Sequence, residues 1–83
     1  MRVVQHVLDE LIESLSRREM DVLRLMADGA SNQEIADSLV LSLSTVKKHV
    51  SMVMDKLSVD NRTRAVLRGR ELGLLDNQDF NQA

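Results

Sequence analysis

Two adjacent lysines, Lys47 and Lys48, and a serine one helical turn further on, Ser51, are the residues of this sequence best suited to chemistry with a partner. Long ammonium side chains can reach guanine O6 and N7 or a phosphate, and a hydroxyl one turn away can bond to either. Ser44 and Thr45, just upstream, suit phosphate oxygens, and Asn32, at the start of an earlier helical pattern, is placed for the same task. Other chemistry finds little support. His6 and His49 stand alone, with no cysteine anywhere in the chain to complete a metal site. Asp9, Glu10 and Glu13 fall on the polar side of an amphipathic pattern, where a solvated face accounts for them better than acid–base work. With no glycine-rich phosphate loop, nucleophile elbow or metal constellation, neither an enzyme nor a cofactor is expected.

Helices must position these groups. The chain has a single aromatic residue, Phe80, and its β-branched residues do not alternate with polar ones, so strands are not expected and an all-α domain is. Over 3–12 the apolar residues Val3, Val4, Val7, Leu8, Leu11 and Ile12 recur at helical spacing, which makes 1–14 a linker or an extra N-terminal helix. Ser16 followed by Glu19 reads as a capping box that starts a helix with Met20, Val22, Leu23, Leu25 and Met26 on its apolar face. Asp28-Gly29 ends it. Ser31 and Glu34 repeat the box and start a short helix to about Leu39, with Ile35, Ala36 and Leu39 inward. After a break over 40–43, Ser44 is the expected N-cap of a third helix reaching about Leu57, with Val46, Val50, Val53, Met54 and Leu57 inward. Asn61 caps a fourth helix over 62–72, with Ala65, Val66 and Leu72 on one side and Arg64, Arg68 and Glu71 on the other. Gly73 closes it. The polar run 76–83 reads as a disordered tail.

At 83 residues the chain has room for one domain. Its lack of cysteine fits a reducing, cytoplasmic compartment, and no stretch is long and apolar enough to span a membrane. Its net charge of −2 argues against a nucleic-acid partner until the distribution is considered. Up to Leu43 there are 4 basic and 8 acidic residues, whereas 44–70 holds 7 basic and 2 acidic ones, and the remainder 3 acidic ones. The positive charge is thus gathered around the lysine pair.

A helix-turn-helix needs two short helices, a small residue where their backbones meet, apolar anchors inside and a polar outer face on the second helix. The stretch 32–51 meets each requirement, with Ala36 as the small residue and Ile35, Leu39, Leu41 and Val46 as anchors. Two rival readings use the same residues differently. One is a helical protein-interaction module docking through 3–12 or through the arginine-rich fourth helix, and the other is a promoter-recognition segment of a sigma-like factor.

The segments LSRRE (15–19), SNQEIADSL (31–39), STVKKH (44–49), KLSV (56–59), NRTRAV (61–66) and RELGLL (70–75) resemble the LuxR/GerE-type DNA-binding domain. The resemblance covers 15–75. It implies a four-helix domain, a sequence-specific regulator of transcription in bacteria, whose third helix reads the major groove of double-stranded DNA. By the same resemblance the base-reading positions are Lys47, Lys48 and Ser51, and Asn32, Thr45 and Lys56 are backbone contacts. The fourth helix would form a homodimer through Val66 with Thr63 and Arg70, placing two reading helices on pseudo-palindromic half-sites, with RNA polymerase a further partner. The ending is particularly similar to the C-terminal domains of large ATP-binding, maltose-regulator-like activators of this type. Two departures stand out: Met52 replaces a polar residue common in the family, and Ser58 replaces a frequent glycine, which asks a non-glycine residue to end the third helix.

Overall fold

Four helices follow from four side-chain caps. The computed structural model describes residues 15–75, so the expected linker or extra N-terminal helix over 1–14 and the polar tail over 76–83 lie outside the described residues. Helix α1 is Arg17–Ala27, α2 Asn32–Leu39, α3 Leu43–Lys56 and α4 Arg62–Glu71, with no strand among the described residues. The all-α expectation therefore holds.

Both capping boxes are present. The Ser16 hydroxyl accepts from the Glu19 amide at 3.1 Å while the Glu19 carboxylate accepts from the Ser16 amide at 2.9 Å. Ser31 and Glu34 make the same pair of bonds at 3.1 and 2.8 Å. Asn61 caps α4 by accepting from the Arg64 amide at 2.9 Å. These bonds satisfy amides that would otherwise have no partner in a helix's first turn.

The start of α3 differs from expectation. Ser42, not Ser44, is the N-cap, in extended backbone with its hydroxyl accepting from the Thr45 amide at 3.1 Å. Two serines fit the cap template, and the choice between them is made one step earlier, at Val40. Val40 adopts the left-handed conformation, φ 56°, and the Leu41 amide then reaches back to the Ala36 carbonyl at 3.0 Å. That closure ends α2 and turns the chain within three residues, so α3 begins at Leu43. For a β-branched residue a left-handed backbone costs about 1–2 kcal/mol.

All four helices end the same way. Each closes on a left-handed residue, which is the C-cap itself in α2 and the residue after the C-cap in the other three, and the next amide donates five residues back. Gly29 and Gly73 occupy that position after α1 and α4, with φ 84° and 77°, while Val40 and Ser58 occupy it after α2 and α3. Ser58 at φ 59° does what the sequence asked of it.

The core gathers Val22, Leu23 and Met26 of α1, Ile35 and Ala36 of α2, Val46, Val50, Val53 and Leu57 of α3 and Ala65 of α4, with Leu15 and Leu75 closing its edges. Helix α3 packs on α1 and α2, and α4 packs mainly on α1. Gly69 permits that last contact, because a Cβ there would lie 2.9 Å from Leu75 Cδ1 and 3.1 Å from Leu23 Cδ2. It was missed in the sequence, although a glycine inside a helical pattern is a recognised sign of close packing. Val66 and Leu72, expected to face inward, are half-buried.

One buried charge ties the frame together. Glu19, only 5% exposed, receives a bond from Lys56 Nζ at 2.7 Å, joining the first turn of α1 to the last residue of α3. Burial by itself pushes the Glu19 carboxyl up. The Lys56 hydrogen bond, donation from the Ser16 amide and the Lys56 charge outweigh burial and hold the carboxyl below its usual range.

Candidate nucleic-acid interface

The packing of α3 decides which of its residues face outward. Val46, Val50, Val53 and Leu57 are buried at spacings of three and four, so one side of the helix is committed to the core. The opposite side leaves Ser44, Lys47, Lys48, Ser51, Met52 and Asp55 exposed. The three expected base-reading residues, Lys47, Lys48 and Ser51, thus share one exposed surface. None of the three side chains makes a hydrogen bond or ion pair among the described residues. A lysine with no internal partner keeps its whole charge available to an external anion.

Around this edge the expected backbone contacts fall into two groups. Ser44 and Thr45 lie in the first turn of α3, beside the Ser42 cap. The Thr45 hydroxyl accepts from the Ser42 hydroxyl at 2.9 Å, and the Ser42 and Ser44 hydroxyls are 3.3 Å apart. Asn32 is the first residue of α2, at that helix's positive end, where backbone amides favour an anion. Lys56, on the same helix as the reading edge, is turned the other way. Its ammonium is engaged by Glu19, and only 26% of its side chain is exposed.

Met52 is 39% exposed on α3, an apolar side chain one turn beyond Lys48. Asp55 continues the stripe of Ser44, Lys48 and Ser51 and brings a negative charge to its far end. His49 is half-buried on α3.

On α4, Thr63 is exposed and Val66 and Arg70 are half-buried, three positions along one flank of the helix. Sequence reasoning left out an exposed apolar neighbour, Leu67, at 53%. It follows Val66 and points away from buried Ala65 and Gly69, so the flank offers an apolar side chain to a partner. Its signal lay in the pattern: with Ala65 and Gly69 inward, helical periodicity turns Leu67 outward. The arginines of α4 are mostly occupied. Arg62 Nη1 and Nη2 donate to Asn32 Oδ1 at 2.7 Å and to the Ala30 carbonyl at 2.8 Å, Arg64 is 3.8 Å from Asp60, and Arg68 is 4.0 Å from Glu71.

Two short helices joined by a tight turn, a buried small residue at Ala36 and an exposed cationic face on the second helix define a helix-turn-helix DNA-binding domain. The chain belongs to the LuxR family of bacterial regulatory proteins, whose pattern matches residues 13–68. The response regulator protein VraR of Staphylococcus aureus (strain Mu3 / ATCC 700698) is 52% identical over 58 residues, which cover 70% of this chain and 28% of that protein. VraR of Staphylococcus epidermidis matches to the same extent. The chain spans less than a third of the length of these relatives. Among solved structures, the response regulator ChrA of a heme-sensing two-component system is 40% identical with a TM-score of 0.73, covering 75% of this chain and 31% of that one. The transcription factor GerE is 34% identical with a TM-score of 0.70, covering 75% of this chain and 92% of that one. No helix among the described residues is long and apolar enough to cross a membrane.

Proposed function

We propose that this chain is the output domain of a bacterial transcriptional regulator that binds a specific double-stranded DNA sequence, with α3 lying in the major groove. The observation that carries this reading is the exposed Lys47–Lys48–Ser51 edge, opposite the buried face of α3 and without partners among the described residues. Lys47, Lys48 and Ser51 read base edges. Asn32, Ser44 and Thr45 hold the phosphate backbone on either side of the turn. Lys56 contributes by fixing the end of α3 against α1 rather than by reaching a phosphate, since its ammonium is already bonded to Glu19.

Two copies pair through the flank of Thr63, Val66 and Arg70, with Leu67 at its centre, and place their reading helices on half-sites about one helical turn apart. A response-regulator output domain fits the similarity to VraR and ChrA better than the C-terminal domain of a large ATP-binding, maltose-regulator-like activator, to which the sequence ending is similar. The cytoplasm is where such a domain meets DNA, and RNA polymerase is the partner through which it would act.

Selection of bound duplexes from random DNA tests the function. Recovery of a pseudo-palindromic consensus supports it, and a pool that stays random through repeated rounds overturns it. Equilibrium sedimentation with the selected duplex tests the pairing, where one protein per duplex at saturation rules the dimer out.

A further inference from the structure

We infer that Arg62 is a positioning residue for DNA binding: it sets the direction of the Asn32 side chain so that the amide N–H groups face outward. A guanidinium carries only donors, so the atom of Asn32 that meets Arg62 Nη1 at 2.7 Å must be the carbonyl oxygen. The second fork nitrogen, Nη2, donates to the Ala30 carbonyl at 2.8 Å. The fork therefore grips two points across the α1–α2 turn and leaves the guanidinium little freedom to swing. With its oxygen held, the Asn32 amide nitrogen has two donors and no acceptor among the described residues. Those donors sit at the first position of α2, whose positive end adds to their pull on an anion.

The place of Arg62 in its own helix supports the same conclusion. It is the first residue of α4, where a cation opposes the helix dipole. An arginine there works against its own helix. What it gains lies across the molecule, at Asn32 and Ala30.

The inference rests on the backbone role proposed for Asn32 and predicts a dependence of that role on Arg62. The test measures dissociation constants for the 83-residue chain and its selected duplex over a range of salt, with circular dichroism on every variant. Asn32→Asp keeps an acceptor for Arg62 and suits the start of a helix, but it presents a carboxylate to the phosphate. Its helicity should be unchanged and its affinity should fall by about tenfold or more. Arg62→Ala and Asn32→Ala should each weaken binding with little change in the salt slope, because a neutral amide on a phosphate releases no counterion, and the double variant should be no weaker than either single one. Arg62→Lys, which can still donate to Asn32, should recover part of the loss.

Additive losses in the double variant, or wild-type affinity in Asn32→Asp, would overturn the inference while leaving DNA binding intact. Failure of the unmodified chain to bind any duplex in a salt-dependent way would instead overturn the proposed function itself.

Discussion

The cations of α3 and α4 live under different conditions. On α3, Lys47 and Lys48 project from the side opposite the core and have no partner among the described residues. On α4, Arg62 grips Asn32 and Ala30, Arg64 sits near Asp60, and Arg68 sits near Glu71. The last residue of α3, Lys56, belongs with the second group because Glu19 holds it. Like charges in neighbouring helices thus do different work: Arg62 and Lys56, with part-buried partners, fix the frame, Arg64 and Arg68 lie in exposed surface pairs, and Lys47 and Lys48 remain for an external polyanion. This is how a chain of net charge −2 can carry a DNA-binding face.

The largest effect is expected at the lysine pair. Replacing Lys47 and Lys48 together with Ala should lower affinity for the selected duplex by about a hundredfold or more, at roughly 1–3 kcal/mol per lost contact, while the unfolding midpoint stays put. A fluorescence-anisotropy titration alongside thermal melting separates the two effects. Retained site preference would remove these lysines from the reading edge.

Lys56→Ala should do the reverse. It strands the Glu19 carboxylate in the core and should cost about 2–3 kcal/mol of stability by denaturant titration, less than the roughly 3–5 of a fully dry pair because Lys56 is partly exposed. The pair also sets an acid limit. Because the folded Glu19 carboxyl lies below its usual range, its contribution is complete above the unfolded pKa of about 4.3 and is lost as pH falls through the lower folded value. Glu19→Gln should therefore flatten the stability profile below about pH 4. A slope as steep as that of the unmodified chain would assign the acid sensitivity elsewhere.

Smaller effects complete the contrast. Val40→Gly relieves the left-handed strain and should stabilise the fold by up to about 1 kcal/mol, a shift readable as a higher melting temperature. Arg64→Ala should change stability by less than about 0.5 kcal/mol, since its pairing with Asp60 is exposed on both sides. A larger loss would mean that α4's surface pairs matter more to the frame than their geometry indicates.

Local signals carried most of the fold. The serine–glutamate pairs at Ser16 and Ser31, the asparagine at Asn61 and the glycines at 29 and 73 each mark a helix end through bonds made within a few residues, so sequence reasoning located them. The start of α3 was displaced by two residues, because the choice between Ser42 and Ser44 depends on Val40, a residue type that no backbone preference would place in a left-handed turn. The outward positions of Lys47, Lys48 and Ser51 were legible from helical periodicity alone. The engagement of Lys56 was not, since its partner lies 37 residues away in sequence. Arg62 and Asn32 are similarly separated by 30 residues, and nothing local to either one announces the other.

The Glu19–Lys56 bond also bears on how the domain comes apart. It closes a loop containing all of α2 and the turn on which the reading edge depends. Helix ends ordinarily fray first and exchange their amide hydrogens fastest. Here the opening turn of α1 and the closing turn of α3 are fastened to one another, so neither can loosen without releasing the other. Their amides should exchange together and slowly, in step with global unfolding, and a protease should find no early foothold at either of these two turns.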